Sequence, residues 1–186
     1  MVTVTALWLP ILVSAILVFV ASSILHMVLP FHRGDLKKVP QEDDMLDALR
    51  RFNLPPGDYG APMAGSMAAM HDPQFIEKMK RGPLVLMTVS AGGSGSMTKN
   101  LVQWFLYSLL VGTFAAVIAS DSLMRGADYW DVCNFVAVTA FMGYSLALLQ
   151  QSIWGRRSWV TTAKTMFDGA IYAVITGEVF AWLWPS

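Results

Sequence analysis

Two carboxylates and a histidine fall where an ionisable side chain is costly. Asp168 and Glu178 lie inside the stretch WVTTAKTMFDGAIYAVITGEVFAWLW at 159–184, and His26 lies near the end of the apolar run at 6–30. Charged groups in hydrocarbon turn towards protein and mark proton or ion paths. The intramembrane polar residues sort by depth into two layers. An inner layer takes His26, Gln103, Gln150, Gln151, Lys164 and Asp168; an outer layer takes Asn134 and Glu178, with Tyr129 nearby. The competing reading is interhelical glue. Lys164 and Asp168 stand i, i+4 on one helix, and His26 can donate to Asp168. For the inner layer the glue reading is favoured, because each charge has a partner. Glu178 has no basic partner at its depth, which leaves the two readings level there.

Other chemistry is poorly supported. His26, His32 and His71 lack metal-ligand spacing, with no HExxH and no Cys–His pair, so no metal site or other cofactor is expected. His26 and His32 straddle Pro30 at the membrane surface. Met63, Met67, Met70 and Met79 offer thioether sulfur of the kind that binds copper, but no Cys or His cluster joins them. A Met-lined amphipathic helix resting on the membrane or on the bundle is the better reading. SAGGSGSMTKN lacks the Gly-Lys-Ser/Thr ending of a phosphate loop and reads as a flexible linker hinged at 92–96. No nucleophile with a base and an orienting group can be assembled, so catalytic residues are not assigned and an enzyme is disfavoured.

The elements that must position these groups are apolar helices. Of 186 residues 55% are hydrophobic and 14% charged, and the mean hydropathy is +0.49. Soluble domains carry roughly 25% charged residues. Formal net charge is zero, which gives no pointer to nucleic acid, and the single cysteine, Cys133, excludes an internal disulfide. The expected fold is an all-α membrane protein with four transmembrane helices at 6–30, 101–120, 129–154 and 163–184. The first run has no preceding Lys or Arg and is longer than a signal-peptide core, so it is read as a span.

Three regions follow: 1–30 as the first span, 31–100 as a cytoplasmic loop of short amphipathic helices, and 101–186 as a three-helix unit. Within the loop, 40–52 places Met45, Leu46, Leu49 and Phe52 on one face. LPPGDYG breaks the chain, Met63, Met67 and Met70 recur at helical spacing, and Asp72-Pro73 caps a helix that ends at Gly82-Pro83. Residues 84–89 are β-prone.

Lysine and arginine set the orientation. Nine of thirteen lie between the first and second spans, three flank the start of the fourth, and only Arg125 lies between the second and third. Twelve can therefore be cytoplasmic at once, with both termini periplasmic. Helices gain little by leaving lipid for one another unless their backbones approach closely. Gly112 and Ala116, then Gly143 and Ala147, then Gly169, Ala173 and Gly177 are the candidate packing rows of the last three spans.

SSILHMVLPFHRGDLKKVPQEDDMLDALR, LPPGDYGAPMAGSM, LVQWF and the closing RSWVTTAKTMFDGAIYAVITGEVFAWLWP resemble a family of small four-span bacterial inner-membrane proteins without a known activity. The likeness covers nearly the whole chain. It implies a bacterial inner-membrane location and assigns no site. The leading expectation is a non-enzymatic oligomeric or accessory subunit, its partners the lipid bilayer and a homo-oligomer or larger membrane complex, acting through helix packing and a cytoplasmic docking loop. The alternative is a small transporter or channel component with a polar path through Glu178, Asp168 and His26.

Overall fold

The structure, a computed structural model, describes residues 2–93 and 95–186; Ser94, within the expected hinge, lies outside them. In chain order the elements are α1 (Trp8–Ser23), α2 (Glu42–Arg51), β1 (Gly57–Ala61), α3 (Met67–Met70), α4 (Pro73–Arg81), β2 (Val85–Val89), α5 (Met97–Ser122), α6 (Tyr129–Tyr144), α7 (Leu149–Ile153) and α8 (Trp159–Trp182). They form two compact units, Met1–Leu36 with Ser96–Ser186, and Lys37–Gly95.

In the larger unit, three stretches are long and apolar enough to cross a membrane: Val4–Val28, Met97–Ser122 and Tyr129–Ile153. The fourth expected span, α8, has the length but is not among them, and it carries Lys164, Asp168 and Glu178. Pro10 sits early in α1, where a missing N–H is tolerated. At its far end α1 widens into a π turn, Ile24–Val28, closed by Leu29 N–H donating to the Ile24 carbonyl at 3.0 Å. Leu29 is extended, as a residue before proline must be, and Pro30–His32 forms a 3-10 turn.

The N-termini of α5 and α6 are capped by Ser96, which accepts from Lys99 N–H at 3.3 Å, and by Asp128, which accepts from Trp130 N–H at 2.9 Å. The third stretch is not one helix, as expected, but two. It breaks after Tyr144, passes through a 3-10 turn at Leu146–Leu148 and resumes as α7. Ser145 is buried at the break and donates to the Met166 carbonyl of α8 at 3.2 Å.

α6 and α8 make the most extensive helix pair, with α1 against both α5 and α8. Their closeness depends on glycine. A Cβ on Gly177 would stand 2.6 Å from the Cys133 carbonyl oxygen, and one on Gly169 would collide with the Ser145 side chain. A Cβ on Gly112 would meet Ser14 Oγ at 3.5 Å, an ordinary contact, and one on Gly143 would meet Val111 at 3.1 Å. Ala116 and Ala173 are buried, whereas Ala147 is exposed in the 3-10 turn. Leu7, Ala115, Val132, Val136 and Phe180 make one buried cluster; Val18, Val111, Ala140, Tyr144 and Tyr172 make another. Beyond α8, Trp184 Nε1 donates to the Met124 carbonyl and Gly126 N–H donates to the Pro185 carbonyl, both at 2.9 Å.

The smaller unit is not purely helical. β1 and β2 pair antiparallel from Gly57↔Val89 to Ala61↔Val85, and Thr88 Oγ1 donates to Asp58 Oδ1 at 2.6 Å. The expected break at LPPGDYG thus contains a strand. Glycine and aspartate have low strand propensity alone, but the β-prone partner supplies the ladder. Asp72 caps α4 by accepting from Gln74 N–H at 2.8 Å, and Gly82 ends it at φ 57°. Only Met67 and Met70 of the expected methionine helix are helical; Met63 precedes it.

Gly177→Ala is expected to destabilise the protein by about 1–3 kcal/mol, because backbone rather than a flexible side chain blocks the added methyl group. Gly112→Ala is expected to be close to neutral. Thermal unfolding of both variants in the same detergent checks the contrast.

Candidate functional site

The ionisable groups gather in the larger unit where the end of α1 meets α8. The 3-10 turn after Pro30 swings His32 against Asp168, and His32 Nε2 stands 2.8 Å from Asp168 Oδ2. His26, from the π turn, approaches the same oxygen at 3.9 Å. The two imidazoles stack with centroids 4.4 Å apart and planes 2° from parallel. Asp168 is 1% exposed, His32 13% and His26 48%.

A second set of contacts holds these groups from behind. His32 Nδ1 donates to Asp35 Oδ2 at 2.6 Å, and His26 Nδ1 donates to the Ser22 carbonyl at 3.0 Å. Lys164 Nζ donates to Asp35 Oδ1 at 2.9 Å and to the Phe31 carbonyl at 2.8 Å. The hydrogen bond from His32, and then that from Lys164, hold the Asp35 carboxyl below the usual carboxylate range. Lys164 therefore does not serve Asp168 as the i, i+4 spacing suggests; its partner is Asp35, 129 residues away in sequence.

Both histidines face Asp168 through Nε2 with Nδ1 already committed. A carbonyl and a carboxylate can only accept, so Nδ1 of each ring carries the proton. His32 Nε2 approaches Asp168 Oδ2 to 2.8 Å. Among the described residues, His32 Nε2 and both Asp168 oxygens are buried without a hydrogen-bond partner, and so is Tyr172 Oη.

Two hollows meet here. One, of about 610 Å³, is bounded by Met27, Leu101, Trp104, Tyr107, Tyr144 and Tyr172, with His26, Thr165 and Asp168 at its polar edge. Its aromatic wall is ordered: Trp104 Nε1 donates to Ser22 Oγ at 2.8 Å, Tyr107 Oη donates to the Gly143 carbonyl at 2.6 Å, and Tyr144 and Tyr172 meet edge to face at 5.7 Å. The other, of about 600 Å³, is polar and holds His32, Arg33, Asp35 and Arg157. His26 and Thr165 line both.

The outer residues do not join this centre. Glu178 accepts from Tyr129 Oη and, at 3.4 Å, from Cys133 Sγ, so uncharged donors take the place of the missing base. Asn134 is exposed and lines a separate hollow of about 490 Å³ with Asp131 and Phe135. Gln103 and Gln150 are exposed, and Gln151 accepts from Arg157 at 2.6 Å. The residues missed from sequence are His32 and Asp35. Their signal was the proline at position 30, which reverses the chain and returns the next side chains to the helix ends.

No protein-family model, curated protein or solved structure matches this chain.

Lys164→Met and Asp35→Asn are each expected to lower the melting temperature. The double variant is expected to be no less stable than the worse single one, since both remove the same contact. Melting curves of the four proteins in one detergent give the cycle.

Proposed function

We propose that the chain is a four-span membrane protein that binds an anionic amphiphile at the cytoplasmic edge of the bilayer. The meeting of an aromatic-walled apolar hollow with a basic polar one at His26 and Thr165 carries this reading. A hydrocarbon tail suits the first, where Trp104, Tyr144 and Tyr172 present apolar faces. A phosphate or carboxylate head suits the second, where Arg33 and Arg157 offer planar, bidentate donors. Non-catalytic capture or passage of such a ligand needs no nucleophile.

In this reading α8 is the fourth span. Support comes from the partners of its charges: Lys164 with Asp35, Asp168 with His32, and Glu178 with Tyr129 and Cys133. Distribution of Lys and Arg supports two periplasmic termini, and the family resemblance supports the bacterial inner membrane. A second reading, association through the Lys37–Gly95 unit as a homo-oligomer or accessory subunit, is favoured by the exposure of Phe52, Met63 and Met67, 68–73% each.

Native mass spectrometry of the full chain from mild detergent tests both readings. The first predicts a retained anionic lipid, lost at least tenfold in the Arg33→Gln/Arg157→Gln double variant. Lipid retention unchanged by that variant, or none in the parent, overturns it. A stable mass at a multiple of the chain with no retained lipid would favour the second. For topology, Lys37→Cys or Lys80→Cys in a Cys133→Ala background is expected to resist a membrane-impermeant maleimide in intact cells and to react after lysis. Labelling in intact cells would reverse the threading.

A further inference from the structure

We infer that His26, His32 and Asp168 form a binding site for one divalent transition-metal ion of the zinc class. One nitrogen of each ring and one carboxylate oxygen all lie within 4.8 Å of one another. Ligand atoms around a tetrahedral zinc ion at its usual bond lengths are about 3.3 Å apart. The measured separations to Asp168 Oδ2, 2.8 Å from His32 and 3.9 Å from His26, bracket that value.

The hydrogen-bond directions make the case stronger than the distances. Nδ1 of each histidine is the donor to an obligate acceptor, Asp35 Oδ2 for His32 and the Ser22 carbonyl for His26. With Nδ1 engaged in each ring, Nε2 is the atom left beside Asp168, at 2.8 Å for His32 and 3.9 Å for His26. Two imidazole nitrogens and a carboxylate oxygen are then the atoms grouped at one place. His32 Nε2 and both Asp168 oxygens are buried and have no hydrogen-bond partner among the described residues. Unpartnered buried polar atoms of these types, with a half-exposed imidazole beside them, suit a cation held between them.

The contacts behind the site match what orients metal ligands elsewhere: a carboxylate on one imidazole and a main-chain carbonyl on the other. Lys164 in turn fixes Asp35. Asp168 supplies negative charge, imidazole favours zinc, copper, nickel or iron over magnesium or calcium, and three protein ligands leave a fourth position open. The rings lie parallel, so closure needs one to turn. His26 has the room, being nearly half exposed and set in a π turn rather than in regular helix. The metal site shares His26, His32 and Asp168 with the linings of the two hollows but does not rest on the amphiphile reading.

The test uses the full chain in lipid-free mild detergent, purified without a retained polyhistidine tag and stripped with chelator. Titration with Zn²⁺ by calorimetry is expected to give one ion per chain, and Co²⁺ is expected to produce the visible bands of a tetrahedral site. Mg²⁺ is expected not to compete. His26→Gln, His32→Gln and Asp168→Asn should each weaken Zn²⁺ binding at least 100-fold and abolish the cobalt bands. Asp35→Asn should weaken it about 10- to 100-fold, the usual effect of losing the partner of a ligating histidine. His71→Gln, in the other unit, should leave binding unchanged. His26→Gln removes a half-exposed side chain and keeps the test valid if the buried variants do not fold. Absence of stoichiometric binding by the parent chain, or binding that His26→Gln and His32→Gln leave intact, overturns the metal site and points to an imidazolium–carboxylate pair. Lipid retention by the parent chain, read separately with and without Zn²⁺, keeps the two readings distinguishable.

Discussion

Burial of the Asp168 carboxylate is the constraint that shapes one end of this protein. Its side chain is 1% exposed within a helix otherwise rich in apolar residues. Such a group stays only if opposite charge or a donor is brought to it. α8 does not provide one, because Lys164 is drawn to Asp35. The partner comes from the turn that follows α1, where Pro30 redirects the chain and His32 lands on Asp168. Residues 31–36 are consequently part of the helical unit rather than the start of a free loop.

Three layers of contact extend outward from that carboxylate. The histidines touch it, Asp35 and the Ser22 carbonyl set their tautomers, and Lys164 ties Asp35 to the Phe31 carbonyl. Each layer fixes the orientation of the one before it. An apolar hollow and a basic hollow share the same pair of lining residues, His26 and Thr165. Polarity therefore changes across that pair of residues.

What was legible in the sequence was local. Length and apolarity give the stretches Val4–Val28, Met97–Ser122 and Tyr129–Ile153, and the cap Asp72 with the stop at Gly82 bounds α4. The break after Tyr144 was not legible, because Gly143, Tyr144 and Ser145 read as ordinary span residues; Ser145 earns its place only through Met166, 21 positions on. The strand at Gly57–Ala61 was hidden for the same reason, since its partner lies beyond two helices. His26 and Asp168 were singled out by their cost in an apolar setting. His32 carried no such signal: six residues further along, outside the apolar run, it resembled any surface histidine, and its meeting with Asp168 spans 136 positions. The spacing of Lys164 and Asp168 suggested a pair along one helix, and a tertiary partner displaced it.

The hydrogen bonds from Trp184 and Gly126 have a consequence for how the helical unit closes. The α5–α6 connection contributes the Met124 carbonyl and the Gly126 amide, and the residues after α8 answer with the indole of Trp184 and the carbonyl of Pro185. Two segments far apart in sequence are thereby latched together by two hydrogen bonds. The α5–α6 connection is tied in this way to residues about sixty positions further along the chain, so the loop between two helices and the segment after a third hold one another.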